Sequence, residues 1–206
     1  MKIHIVNYGM GNIFSIQKKI KSRDVSLSIS SYAQDILDAD KIILCGVGHF
    51  KKAMDNLNNL NLIEPLNEFV LIQKKPVLGI CLGMQLMAKF SEEGNVNGFG
   101  WIEASVKKFS TNQSQSKNLK VPHMGWNTVS ISKESALMRN INTNDEFYFV
   151  HSFYLQPENS EDILNETHYI HKFCSAIEQE NIFGVQYHPE KSHDVGQRLL
   201  NNFILL

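Results

Sequence analysis

Gly79-Ile80-Cys81-Leu82-Gly83 is the stretch on which the fold turns. An apolar run, Pro76-Val77-Leu78, leads into it, and Met84-Gln85-Leu86-Met87-Ala88 leads out. The first reads as a strand over 76–80 and the second as a helix. A cysteine at the apex of strand, sharp turn and helix, with a glycine two residues to either side, is a nucleophile elbow carrying sulfur instead of oxygen. The glycines allow a tight bend and a close backbone approach where a Cβ would intrude. The turn lifts the thiol above the sheet, and the positive end of the helix favours thiolate, the reactive form. A lone cysteine between a strand and a helix is more often a buried core residue, and the paired glycines count against that here.

Upstream, the same alternation repeats. Ile3–Val6 reads as a first strand, ending in Asn7-Tyr8-Gly9-Met10-Gly11-Asn12, with a helix to about Lys21. That loop lacks the third glycine of a dinucleotide fingerprint, so it is read as shaped for a partner or substrate. Val25–Ile29 is a second strand, Ile36–Asp40 a short helix or turn, and Lys41–Cys45 a central third strand running into Gly46-Val47-Gly48. Residues 50–74 read as helix in two pieces broken near Asn58–Asn61, with Leu57, Leu60, Ile63, Leu66, Phe69 and Val70 as the apolar face. Strand alternating with helix implies an α/β fold with a mostly parallel sheet covered on both faces. Sites in such folds lie beyond the carboxyl ends of the strands, the edge at which the glycine loops 9–11, 46–48 and 79–83 all fall.

From about residue 99 the texture changes to short strand-like runs: Val121-Pro122-His123, Thr128–Ile131, Phe147–Val150 and Tyr169-Ile170-His171. Ser110–Asn118 is wholly polar and reads as a mobile loop. No proline-rich linker or repeat interrupts the chain, so 1–206 is read as one domain with a more antiparallel second half. Ile182–Gln186 is a last strand feeding Tyr187-His188-Pro189-Glu190. A final helix over about His193–Leu205 buries Val195, Leu199, Leu200, Phe203 and Ile204.

Composition narrows the class. Lys+Arg is 20 against Asp+Glu 21, with no long basic block, which gives no footprint for nucleic acid. Three cysteines with no C-x-x-C pair argue against a disulfide scaffold or a cysteine zinc site. The N-terminus reads as a strand and not a signal peptide, and no run is long enough to span a bilayer. Cytoplasmic residence is the default expectation.

A thiol nucleophile needs a base, and the base an orienting group. His188 stands at the carboxyl end of a strand, the edge where Cys81 also lies. Glu190 follows two residues on and can turn back to the same imidazole, setting its tautomer. An isolated H-P-E tripeptide is commonly a loop histidine. Together with the elbow it suggests a Cys81–His188–Glu190 triad. Backbone N–H groups around Gly46-Val47-Gly48 and at Leu82 are the natural oxyanion donors.

These residues resemble the class I (triad) glutamine amidotransferases, and most closely the glutaminase subunit of imidazole glycerol-phosphate synthase. Beside the elbow and H-P-E, the resemblance rests on 7–12, on Pro122-His123-Met124-Gly125-Trp126-Asn127, on Phe147-Tyr148-Phe149-Val150-His151-Ser152, and on 184–192. It spans nearly the whole chain. It implies hydrolysis of glutamine to glutamate and ammonia through a γ-glutamyl thioester on Cys81, without metal or cofactor. It implies oxyanion donors at Val47 and Leu82, and a glutamine pocket lined by Gly48, Gln85, Glu93 and Ser152. It further implies a heterodimer with a (β/α)8 cyclase subunit, met by Asn12, Met124, Trp126 and Lys191, which consumes the ammonia in making imidazole glycerol phosphate for histidine biosynthesis.

Three positions depart from the family's pattern. Cys45 replaces the proline before the oxyanion loop, His49 a small residue after it, and Lys89 an acid. These leave open a paralogous barrel that aminates a surface-sugar precursor, and Cys45 as an alternative nucleophile. A non-glutamine Cys-His amidase or peptidase and a non-enzymatic docking module are the other readings of the same residues.

Overall fold

In the computed structural model, which describes residues 1–20, 25–110 and 119–206, the elbow strand lies at the centre of a broad mixed sheet. The first half comprises β1 (Lys2–Val6), α1 (Ile13–Lys19), β2 (Ser26–Ser30), α2 (Ala33–Leu37), β3 (Lys41–Gly46), α3 (Phe50–Asn59), α4 (Ile63–Asn67) and β4 (Val77–Cys81). Then come α5 (Leu82–Leu86), β5 (Ala88–Ser91), β6 (Val96–Asn97) and β7 (Ile102–Lys108). The second half adds β8 (His123–Thr128), β9 (Ser130–Ile131), β10 (Glu146–His151), β11 (Phe153–Pro157), β12 (Ile163–His168), β13 (Lys172–Gln179), β14 (Ile182–Val185) and α6 (His193–Leu205).

Among the described residues, the main sheet runs β2-β1-β3-β4-β14-β13-β11-β7-β5-β6, with β12 and β9 branching from β13. β2 through β14 in that order are parallel neighbours. From β14 to β13 the pairing turns antiparallel. β8 and β10 form a separate antiparallel ribbon. Side-chain alternation explains why the centre is buried on both faces. In β3, Ile43 and Cys45 join the cluster that holds Leu199, Leu200 and Phe203 of α6, whereas Ile42 and Leu44 join Leu57 of α3 and Leu66 of α4. Each such side chain contributes roughly 1.5–3 kcal/mol on burial. This packing holds β4 and β14 side by side, with Val77 opposite Ile182 and Ile80 opposite Val185. The chains leaving those two strands, at Cys81 and at His188, therefore emerge at one sheet edge.

Several local expectations need correction. The helix after the elbow does not reach Ala88: it stops at Leu86, because Ala88–Ser91 pairs with β7 as a strand. The short helix near residue 36 is Ala33–Leu37, one turn earlier than the sequence suggests. Leu60 leaves the apolar face. It lies past the end of α3, where the chain breaks, and is exposed. The second helical piece widens into a π-helical turn over Glu68–Ile72 that buries Phe69 and Val70. Tyr169-Ile170-His171 is the turn between β12 and β13 and not a strand. Val121 and Pro122 precede β8. Lys21 and 111–118, most of the polar stretch, lie outside the described residues.

Candidate active site

The elbow forms for a reason the glycines only partly explain. The left-handed backbone belongs to Cys81 itself, at φ 53° and ψ −110°. A non-glycine residue held in that region is strained, and such strain gathers at functional sites. Gly79 and Gly83 instead supply room: a Cβ on Gly83 would lie 1.7 Å from the Leu44 carbonyl oxygen, and one on Gly79 2.7 Å from the Met84 nitrogen. Since α5 is one turn and a fraction long, its dipole acts on the sulfur only weakly.

His188 Nδ1 bonds Glu190 Oε1 at 2.8 Å, with both side chains almost wholly buried. The ring's other nitrogen, Nε2, is buried with no completed hydrogen bond. It is the atom left to serve the Cys81 sulfur, a contact that in ligand-free enzymes is often loose. Burial opposes a charge on His188, but the Cys81 sulfur and the Glu190 carboxylate outweigh it and raise the imidazole well above its ordinary range. An imidazolium is thereby held beside the sulfur. Cys45 has the opposite setting. Burial first, then the nearby Glu190 carboxylate, push its thiol up to about 12, so it stays protonated.

A cleft of about 400 Å³ opens onto the sulfur. Val47, Gly48, Cys81, Leu82, Gln85, Glu93 and Ser152 line it, together with Pro122, Val150, His151 and Phe153. The structure thus gathers all seven residues expected at the oxyanion loop, elbow and pocket. Gln85 is no solvated helix residue: it is buried, and its Nε2 donates to the Phe153 carbonyl at 3.0 Å and to Gln186 Oε1 at 2.9 Å. Glu93 accepts from the Phe50 backbone N–H at 2.8 Å, closing the first turn of α3 beside the 46–48 loop. Gly48 has φ 116°, which a side chain would resist.

The residues expected at a partner surface lie apart from the cleft. Met124 and Trp126 alternate on one face of β8 and are both exposed. Trp126 stacks on His193 at 4.9 Å and meets Tyr148 edge-on, and Lys191 Nζ lies 5.5 Å above the Tyr148 ring. Asn12 is exposed at the start of α1. The two other departures also have places. His49 is exposed immediately before α3, and Lys89 pairs at the surface with Glu103 at 3.0 Å.

Sequence reasoning missed two groups. Gln186 is fully buried, with Nε2 3.6 Å from the Cys81 sulfur. Alternation back from His188 would have found it, since residues two apart in an extended chain share a side. His123 and His151 were quoted in motifs but given no role. They form a buried pair, Nδ1 to Nε2 at 3.0 Å. Burial lowers His123 to about 4, and burial aided by the His123 charge lowers His151 to about 3. Both values fall below the ordinary 6.5, so the unfolded chain takes up protons first as pH falls. The raised His188 opposes this slope near neutral pH, where only the folded chain holds its proton, and ceases to do so below about pH 6, where both states hold it. Thermal unfolding is expected to show a midpoint that falls from pH 6 to pH 5. A flat midpoint would mean that these rings are charged or hydrated in the fold.

Elbow, base, carboxylate and cleft on a mixed α/β sheet define a triad amidotransferase, and the comparisons agree. The family profile described as Glutamine amidotransferase class-I matches residues 4–206, and the chain belongs to that family. Within it, the chain is 46% identical to the imidazole glycerol phosphate synthase subunit HisH 2 of Methanococcus maripaludis, covering 98% of each. It is 45% identical to subunit HisH 1 of Campylobacter jejuni, covering 99% of this chain and all of that one. A crystal structure of a glutamine amidotransferase, at 13% identity, shares the fold with a TM-score of 0.71 over 98% of this chain and 97% of that one.

Proposed function

We propose that this chain is the glutaminase subunit of an imidazole glycerol phosphate synthase, releasing ammonia from glutamine for a (β/α)8 cyclase partner. The observation that carries the reading is the single cleft shared by Cys81, the oxyanion-loop residues Val47 and Gly48, and Gln85, with the His188–Glu190 pair behind the sulfur. The Cys81 thiolate attacks the side-chain amide carbon of glutamine. The oxyanion that forms is held by the N–H groups of Val47 and Leu82. His188, braced by Glu190, gives its proton to the departing ammonia and leaves a γ-glutamyl thioester. The neutral imidazole then takes a proton from water, which attacks the thioester. Glutamate leaves, and the thiolate–imidazolium pair is restored.

Gly48, Gln85, Glu93 and Ser152 position the amino acid. Met124, Trp126, Lys191 and Asn12 face the barrel that receives the ammonia. The HisH relatives support the histidine-pathway acceptor over a surface-sugar precursor, and the glutaminase reading over a different amidase. No helix among the described residues is long and apolar enough to cross a membrane.

The test is glutamate release from glutamine, by the chain alone and with its cyclase subunit. Release that is slow alone and rises with the partner present, coupled to imidazole glycerol phosphate formation, is the expected outcome. Glutamate under neither condition would reject the reading. Glutamate release without ammonia transfer to the cyclase substrate would reject only the acceptor.

A further inference from the structure

At Ser152 the chain passes from the β8–β10 ribbon into the main sheet, for His151 ends β10 and Phe153 begins β11. This crossover is also the rim of the cleft, since His151, Ser152 and Phe153 all line it. At this junction the Ser152 carbonyl accepts the Phe109 backbone N–H at 3.0 Å and Phe153 pairs with Lys108, whereas the Phe153 carbonyl is held by side chains. They do so through a chain of hydrogen bonds in which every proton is assigned.

The Phe153 carbonyl can only accept, so His151 Nδ1, 2.7 Å away, carries the hydrogen. In a neutral ring that leaves Nε2 as an acceptor. The nitrogen 3.0 Å from it, His123 Nδ1, must then be the donor, which makes His123 Nε2 an acceptor in turn. Asn127 Nδ2 stands 3.3 Å from that atom. Asn127 is fixed the right way round, because its Oδ1 accepts from the Thr128 backbone at 2.9 Å and its Nδ2 donates to the His168 carbonyl at 3.0 Å. The chain therefore starts at an amide donor on β8 and ends at a carbonyl at the pocket, with no freedom in either ring. Flat packing holds the His123 ring in place, against Tyr169 at 4.0 Å and Phe149 at 4.7 Å.

We propose that His123 and His151 are positioning residues, a neutral pair locked in the Nδ1–H tautomer that holds the Phe153 carbonyl and with it the Ser152–Phe153 rim of the glutamine pocket. The same carbonyl accepts from Gln85, which also donates to Gln186, whose own amide reaches the Cys81 sulfur. A shifted Phe153 would therefore loosen two further groups at the site. The pair also ties the pocket rim to β8, the strand whose outer face carries Met124 and Trp126. The role assigned to the rim rests on the glutamine reading of the cleft, whereas the tautomers do not.

Two measurements separate these levels. Nitrogen-15 correlation spectra of the histidine side chains in the full chain at pH 7 should show both rings neutral with the hydrogen on Nδ1. An Nε2–H tautomer at His151 would overturn the proposal whether or not glutamine is the substrate. In kinetics with the cyclase subunit present, His123→Phe keeps a flat ring but removes the donor. It should raise KM for glutamine about fivefold to tenfold and leave kcat within about twofold. His123→Asn places an amide donor where Nδ1 was and should recover most of that loss. A lowered midpoint of unfolding with unaltered KM in His123→Phe would reduce the pair to a structural role and overturn the proposal. If the wild-type chain releases no glutamate, the glutamine reading fails and the spectra still decide the tautomers.

Discussion

Replacing Cys81 by alanine is expected to abolish glutamate release, by roughly 10⁴-fold or more in kcat, without unfolding the chain. Losses of that size follow removal of a nucleophile that works with its base as a unit. Alanine fits the space of the thiol and meets the same backbone strain at φ 53°, so circular dichroism and the unfolding midpoint should stay close to wild type. The second thiol offers no detour. Cys45 is 2% exposed, its proton is held up to about 12, and it forms no part of the cleft lining. Cys45→Ala should therefore retain most of the activity. Turnover that survives Cys81→Ala and disappears in the double variant would transfer the chemistry to Cys45.

Gly83→Ala is expected to be the most damaging single methyl in the elbow. Its Cβ would lie 1.7 Å from the Leu44 carbonyl oxygen and 2.6 Å from the Leu44 carbonyl carbon, both backbone atoms of β3. No rotamer change relieves a clash with backbone. Either α5 lifts off the sheet or β3 moves, and β3 leads directly into Gly46-Val47-Gly48. Overpacking of this kind, together with the lost strand and helix contacts, costs about 3–5 kcal/mol. Gly100→Ala is the matching control. No atom lies within 4 Å of its Cβ position, so only the strain of φ 67° remains, about 1 kcal/mol. Urea unfolding of both variants checks the pair. A Gly83→Ala chain within 1 kcal/mol of wild type would mean that the elbow packs less tightly than its backbone indicates.

The first half of the fold was legible because β1, β3 and β4 are short apolar runs ending in glycine loops, and those loops fall at one edge. The second half was harder to read. β11, β12 and β13 are buried on alternating or irregular patterns, such as the bulged pairing between Ile163 and Glu166 that breaks the two-residue period. Tyr169-Ile170-His171 is rich in strand-forming types yet makes the turn, with Tyr169 donating its hydroxyl to the Lys120 carbonyl at 2.7 Å and stacking on His123. That contact lies across more than forty residues, and local pattern cannot carry it. The place of Cys81 was legible because it ends β4 in a distinctive local motif, and the His188–Glu190 contact because the two residues lie two apart in the turn that follows β14. Gln186, His123 and His151 act through partners distant in sequence, so their roles appear only once β4, β14 and the ribbon are in place. The close approach expected at the elbow's glycines is present, whereas the positive φ on Cys81 has no signal in the sequence.

The most direct test of the thiol chemistry is labelling with a diazo-ketone analogue of glutamine in the presence of the cyclase subunit, followed by peptide mapping. One label per chain, on Cys81, formed in step with loss of glutaminase activity and slowed by glutamine, is the predicted result. Loss of activity with the label on Cys45, or with Cys81 unmodified, would contradict it.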